Sequence, residues 1–263
     1  MADQARADDS KAAPLLYGPA EGPMKVSLFI PCLVDQFFPQ VGLNLYKILK
    51  KVGASVDYPV EQTCCGQPAF NSGYHAEAIE LAQRFLEVFR RSDYIVAPSG
   101  SCTSMVKIFY PEIIEEDSLR ETLHHITSKI YEFSDFLVNV VGISDVGARF
   151  PHRVTYHDAC HLLRELRVKD APRTLIREVR DIDFVEMENS ETCCGFGGTF
   201  SVKFPEISTA MAEDKASAIA QSGAEYVVAN DSSCLMQIAG YLSRKGIPAK
   251  PLHLADLLGE NLS

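Results

Sequence analysis

The strongest constraint on this chain is a pattern of cysteines that occurs twice. Cys32 follows the run Val26-Ser-Leu-Phe-Ile-Pro, and Cys160 follows Val154-Thr-Tyr-His-Asp-Ala. Thr63-Cys64-Cys65-Gly66 returns as Thr192-Cys193-Cys194-Gly195. Tyr94-Ile-Val-Ala-Pro-Ser-Gly-Ser-Cys102 returns as Tyr226-Val-Val-Ala-Asn-Asp-Ser-Ser-Cys234. Three motif pairs in one order, at offsets that grow only from 128 to 132, mark an internal duplication.

Each copy reads as alternating strands and helices. Short runs rich in Val, Ile, Phe and Tyr predict strands over 25–31, 54–58, 93–97, 153–157, 183–187 and 225–229. Helical patterns cover 40–51, 75–91, 118–141, 172–180, 205–222 and 233–245. The expected fold is α/β, with two tandem pseudo-symmetric Rossmann-like domains and mainly parallel sheets. The first domain is expected over 25–145 and the second over 152–263, joined by a linker near 141–153. The chain's 263 residues, 46% of them hydrophobic, are enough for two such cores. Residues 1–24, with three prolines and scattered charge, read as a flexible tail.

In each copy a cysteine, or the vicinal pair, follows each of three strand-like runs. Parallel α/β sheets bind ligands beyond the carboxyl ends of their strands, so these thiols should converge at one edge. That gives four thiols per half: Cys32, Cys64, Cys65 and Cys102, then Cys160, Cys193, Cys194 and Cys234. Four thiolates are the usual complement of a 4Fe-4S cluster. Zinc in one half is the rival, although its usual Cys-x-x-Cys knuckle is missing. A vicinal pair is a poor geometry for a simple disulfide. Glycine beside the pairs (Gly66; Gly195, Gly197 and Gly198) permits tight turns and brings amide N–H groups near sulfur. Gly100 stands in a similar place beside Cys102.

These residues resemble the cysteine-rich CCG domain. That domain occurs in the B subunit of heterodisulfide reductase, the iron–sulfur subunit of glycolate oxidase and the lactate-utilisation proteins. Cys64-Cys-Gly-Gln-Pro-Ala-Phe-Asn-Ser-Gly73 and Thr192-Cys-Cys-Gly-Phe-Gly-Gly-Thr-Phe-Ser-Val-Lys203 look most like the lactate-utilisation branch. The resemblance implies an iron–sulfur electron-transfer subunit of an L-lactate-oxidising complex, not active alone. It implies a ferredoxin-like iron–sulfur protein and a third subunit as partners, with a small 2-hydroxy acid as substrate. A glycolate-oxidase or heterodisulfide-reductase type of subunit, or a zinc-stabilised assembly scaffold, are the alternatives. The heterodisulfide-reductase pattern ends in Cys-x-x-Cys. Here Ser99 and Asp231 occupy its first cysteine position, so disulfide-cleaving chemistry is not carried over.

Other residues carry weaker signals. His157 and His161 flank Cys160 and suggest either a proton relay behind the thiols or a surface or capping role. His75, His124 and His125 read as structural or solvated. Arg164 and Arg167 could attract a carboxylate, but a solvated helix face is the commoner role of such a pair. The net charge of −10 and the absence of a basic stripe argue against nucleic acid as a partner. No apolar run approaches a membrane span, and the first residues lack a signal-peptide core. A cytoplasmic location is therefore expected, where four disulfides would be out of place.

Overall fold

A computed structural model describes residues 23–260 and Leu262. The expected tail, 1–24, lies outside the described residues except for Pro23 and Met24. Two four-stranded sheets form the scaffold, both wholly parallel. The first contains β1 (Lys25–Leu28), β2 (Ser55–Asp57), β3 (Tyr94–Ala97) and β4 (Ile130–Glu132), in the order β2-β1-β3-β4. The second contains β5 (Arg153–Tyr156), β6 (Asp183–Phe184), β7 (Tyr226–Ala229) and β8 (Lys250–His253), in the order β6-β5-β7-β8. Register repeats with order. Val26 pairs with Tyr94 and Val56 in the first sheet, and Val154 pairs with Tyr226 and Phe184 in the second.

The central strands β1, β3, β5 and β7 are buried after their first residue because helices cover both faces. The spacing of Ile79, Ala82, Leu86 and Phe89 predicts the inner face of helix His75–Phe89; the helix buries Ala78, Ala82, Phe85, Leu86 and Phe89, with Ile79 at the margin. Helix Pro205–Ser222 ends at Gly223, whose φ of +67° suits the left-handed cap. Between the halves, 142–152 holds no helix or strand beyond the isolated bridges Ala148↔Leu262 and Arg149↔Arg180.

All six expected strands are present, and two further strands lie where none was expected. The helical reading of 118–141 is broken by β4. Helix Arg120–Lys129 stops there, and the chain resumes as Phe133–Asp135 and a wide-turn segment, Phe136–Val141. β8 contains Pro251, which is tolerated because β8 is an edge strand.

The two halves share one core. Val26, Leu28 and Val96 of the first sheet lie in the same buried cluster as Val154, Tyr156 and Val228 of the second. Helix Leu254–Gly259 packs on helix Pro39–Lys51 of the first half so closely that a Cβ on Gly259 would stand 2.4 Å from Asn44 Cβ.

Two buried hydrogen bonds cross between the halves in pseudo-symmetric fashion. At the end of β8, His253 accepts the Ala255 N–H at Nδ1, so its Nε2 carries the proton and donates to the Pro98 carbonyl at 3.1 Å. At the end of β4, Glu132 accepts from Asn230 Nδ2 at 2.9 Å. Asn230 follows β7 as Pro98 follows β3.

Glu132 also accepts from the Ser134 N–H and hydroxyl, yet burial pushes its carboxyl up to about 8. Between the ordinary carboxylate range and that value, the folded chain keeps a proton that the unfolded chain has released. The associated stability is complete below the ordinary range and is lost as pH rises through about 8. Glu132→Gln should flatten this part of the profile, read as urea midpoints between about pH 5 and 9. An unchanged slope would contradict the assignment.

Candidate metal centres

Every cysteine lies just past the carboxyl end of a strand. Cys32 opens helix Cys32–Phe37 after β1, and Cys160 opens helix Cys160–Arg164 after β5. The vicinal pairs occupy the loops after β2 and β6. Cys102 and Cys234 lie in the first turn of the helices Gly100–Ser104 and Ser232–Lys245, after β3 and β7. All eight are free thiols.

The sequence assigned four thiols to each half but did not relate the two sets. The fold turns both sheet edges toward one another, and all eight cysteines line a single cavity of about 310 Å³. His161, Phe196, Gly197 and Val202 complete part of its wall.

Within each set the thiols touch in one order. Contacts run Cys32–Cys64–Cys65–Cys102 in the first half and Cys160–Cys193–Cys194–Cys234 in the second. The Cys32 and Cys64 sulfurs are 3.7 Å apart. The Cys32 thiol donates to Cys64, which brings Cys64 down to about 3 and raises Cys32. Cys160 donates to Cys193 in the same way, bringing it to about 2. The buried Cys65 and Cys194 are pushed up, first by their bonds to Cys102 and Cys193 and then by desolvation. The leading cysteine of each vicinal pair is thus the most strongly lowered thiol of its half.

Two of the expected amide donors, Gly66 and Gly195, are in place. The Gly195 N–H lies 3.4 Å from Cys193 Sγ, and the Gly66 N–H lowers Cys64 in the same manner. Both glycines take the left-handed conformation, at φ +84° and +86°. Gly100 has a different task. A Cβ there would stand 2.5 Å from Leu162 Cβ of the other half, so glycine lets helix Gly100–Ser104 meet helix Cys160–Arg164.

Ser99 and Asp231, at the position of a missing fifth cysteine, are helix caps. Ser99 Oγ accepts the Cys102 N–H, and Asp231 Oδ1 accepts the Ser233 N–H and hydroxyl. They also meet across the halves. Asp231 Oδ2 accepts from Ser99 Oγ at 3.2 Å and from the Ser101 N–H at 2.9 Å. Both are buried, and their oxygens are occupied by these bonds.

The surface or capping reading of His157 fails. Its side chain is fully buried, and neither ring nitrogen has an oxygen or nitrogen partner. Its ligand atom and the Cys194 and Cys234 sulfurs all lie within 4.8 Å of one another. The Cys234 thiol is lowered to about 7, first by Cys194 and also by His157, against the effect of burial. His161 is half-buried on the cavity wall, with Nδ1 3.5 Å from a Glu165 carboxylate oxygen. His75 begins its helix and packs edge-to-face on Phe70. His125 contacts the Ser92 carbonyl. Arg164 reaches the Glu191 carbonyl, and neither it nor Arg167 lines the cavity.

Two features of the second half were missed. Lys215 is buried on helix Pro205–Ser222, where its ammonium donates to the carbonyls of Asn189 and Ser190 at 2.8 and 3.0 Å. Desolvation lowers it to about 8, and the thiols of Cys194, Cys234 and Cys193 pull the other way. A lysine on the stripe of Ser208, Ala212, Ala216 and Ile219 was the readable signal. The other is a buried ion pair. Arg173 holds both oxygens of Asp158, at 2.8 and 2.7 Å, two residues before Cys160.

The doubled parallel fold and its two thiol sets define a tandem protein of the CCG class, and the cysteine-rich CCG domain matches residues 26–107 and 154–239. The lactate utilization protein A of Oceanobacillus iheyensis is 48% identical over 236 residues, covering 89% of this chain and 96% of that protein. Those of an Exiguobacterium species and of Bacillus pumilus are 44% and 42% identical, each over about nine-tenths of this chain and nearly all of the relative. The chain belongs to the lactate utilization protein A family. Among solved structures, a hypothetical protein from Helicobacter pylori superimposes on 95% of this chain and 52% of its own, with a TM-score of 0.61. At 12% identity that likeness concerns the fold alone.

Proposed function

We propose that this chain is an iron–sulfur electron-transfer subunit of a system that oxidises L-lactate to pyruvate. Cys32, Cys64, Cys65 and Cys102 hold one centre, and Cys160, Cys193, Cys194 and Cys234 hold the other. The functional units are the two cysteine-rich domains, 25–145 and 152–263. The observation that carries this reading is the convergence of eight free thiols, four from each half, on one cavity. Soft thiolate sets of this size suit 4Fe-4S clusters, which would supply one-electron transfer.

The chain's own contribution is to set the surroundings of the sulfurs. The Gly66 and Gly195 amides direct N–H dipoles at Cys64 and Cys193, which offsets negative charge there. With Ser99 and Asp231 engaged as caps, each half offers four thiols and no fifth, as a cubane centre requires. The partners in this reading are a ferredoxin-like iron–sulfur protein and a third subunit, in the cytoplasm. No helix among the described residues is long and apolar enough to cross a membrane. The relatives named above are lactate utilization proteins, and this directs the choice of L-lactate over glycolate.

A second reading rests on His157, Cys194 and Cys234, a mixed donor set that zinc also takes. In that case the second half would be a zinc-stabilised scaffold.

Removing the gene should abolish growth on L-lactate as the carbon source. A wild-type copy should restore it, whereas a Cys65→Ser or Cys194→Ser copy should not. Growth on L-lactate without the gene would contradict the proposal, and loss confined to glycolate would move it to the glycolate branch.

A further inference from the structure

The two thiol sets have the same order of contacts but different surroundings. The correspondence between halves is fixed by the backbone. The Phe29 N–H donates to the Val96 carbonyl of β3, and the His157 N–H donates to the Val228 carbonyl of β7. Phe29 and His157 are therefore equivalent, and both are fully buried. Gly66 packs on the Ala78 carbonyl and Leu81, while Gly195 packs on the Ser208 carbonyl and Met211. Four residues further along each helix, Phe85 and Lys215 occupy equivalent positions, and both are buried.

In the first half these two positions form an edge-to-face aromatic pair, with ring centroids 4.8 Å apart. In the second half they hold an ammonium anchored on the loop that leads to Cys193 and an imidazole whose nitrogens have no oxygen or nitrogen partner. Of the nearby carboxylates, Asp158 is neutralised by Arg173. Asp231 is held by the uncharged donors of Ser99, Ser101 and Ser233, so its charge remains and acts against that of Lys215 at Cys160 and Cys234.

We infer that Lys215 and His157 make the second thiol set the preferred seat of an electron and leave the first set the weaker acceptor. This rests on the iron–sulfur reading above. An added electron is added negative charge. A buried cation and an N–H donor beside the sulfurs stabilise that charge, and buried phenyl rings do not. With clusters held by both thiol sets, these residues would favour transfer of one electron from the first, which would be oxidised, to the second, which would be reduced. The duplication thus became directional through two positions where phenylalanine and a polar side chain face each other across the pseudo-symmetry.

The test is a potentiometric titration of the anaerobically prepared full-length protein, followed by electron paramagnetic resonance, with iron and sulfide counted on the same sample. Two reduction waves are expected, separated by at least about tenfold in equilibrium, or 59 mV for one electron. The higher wave should vanish in Cys194→Ser and the lower in Cys65→Ser. Lys215→Met and His157→Phe should each lower the higher wave and leave the lower one in place, while Lys215→Arg should keep it. Coincident waves, or loss of the higher wave in Cys65→Ser, would overturn the inference without reference to the Lys215 variants. So would an unmoved higher wave in Lys215→Met at full iron content. A sample without iron and sulfide would overturn both this inference and the reading beneath it. Iron in both halves with the wrong order of potentials would overturn this inference alone.

Discussion

Replacing Arg173 with methionine should lower the stability of the protein by about 3–5 kcal/mol, the usual consequence of leaving one member of a buried ion pair alone. Both side chains are nearly inaccessible, at 6% for Arg173 and 2% for Asp158. The guanidinium holds both Asp158 oxygens, reaches Glu186 at 2.7 Å and lies over the Tyr156 ring. Burial alone would raise the Asp158 carboxyl, but the bonds from Arg173 hold it below the ordinary range. The pair's contribution is therefore present at neutral pH and is lost on acidification through that lowered value. Asp158→Asn with Arg173→Met should cost less than Arg173→Met alone, because no charge is then stranded. Urea midpoints for the three variants decide this. A single-variant loss under about 1 kcal/mol, as for an exposed pair, would show that the network is not holding the loop before Cys160.

The second large effect is expected at Gly195. Its φ of +86° already disfavours any other residue, and a Cβ there would stand 2.6 Å from the Ser208 carbonyl oxygen. A backbone atom cannot swing aside as a side chain can. Gly195→Ala should therefore cost about 2–4 kcal/mol, combining left-handed strain with overpacking. It should also displace Cys194 and lower the metal content of the second half. Gly66→Ala is the internal control. Its φ is +84°, but its nearest neighbours would be 3.4 Å away. Only the conformational cost remains there, about 1–2 kcal/mol. Equal losses at the two glycines would contradict the packing difference between the halves.

Much of this arrangement was legible in the sequence because it depends on local pattern. The duplication, six of the eight strands and the placing of each cysteine past a strand follow from short apolar runs and repeated motifs. β4 was hidden because three residues, Ile130-Tyr-Glu, carry no alternation between helical flanks, and β8 because Pro251 argues against a strand except at an edge. The shared cavity was not legible. It arises from packing between elements of the two halves that lie far apart in sequence, such as Gly100 against Leu162 and Gly259 against Asn44. Ser99 and Asp231 could be read as departures from a cysteine pattern, but their service as caps and as a bridge needed three-dimensional contact. His157 carried an ambiguous signal, since the motif gave its neighbour Cys160 but not its burial. Lys215 was readable in principle, as a lysine within an apolar stripe.

The central claim is that two thiol sets, one from each half, each hold an iron–sulfur centre. Iron and acid-labile sulfide should be counted in the anaerobically purified protein, with Cys65→Ser and Cys194→Ser measured beside it. Two centres are expected in the unaltered chain, and each substitution should remove the iron and the paramagnetic signal of its own half only. Zinc without iron or sulfide, or an iron content unmoved by either substitution, would contradict the account.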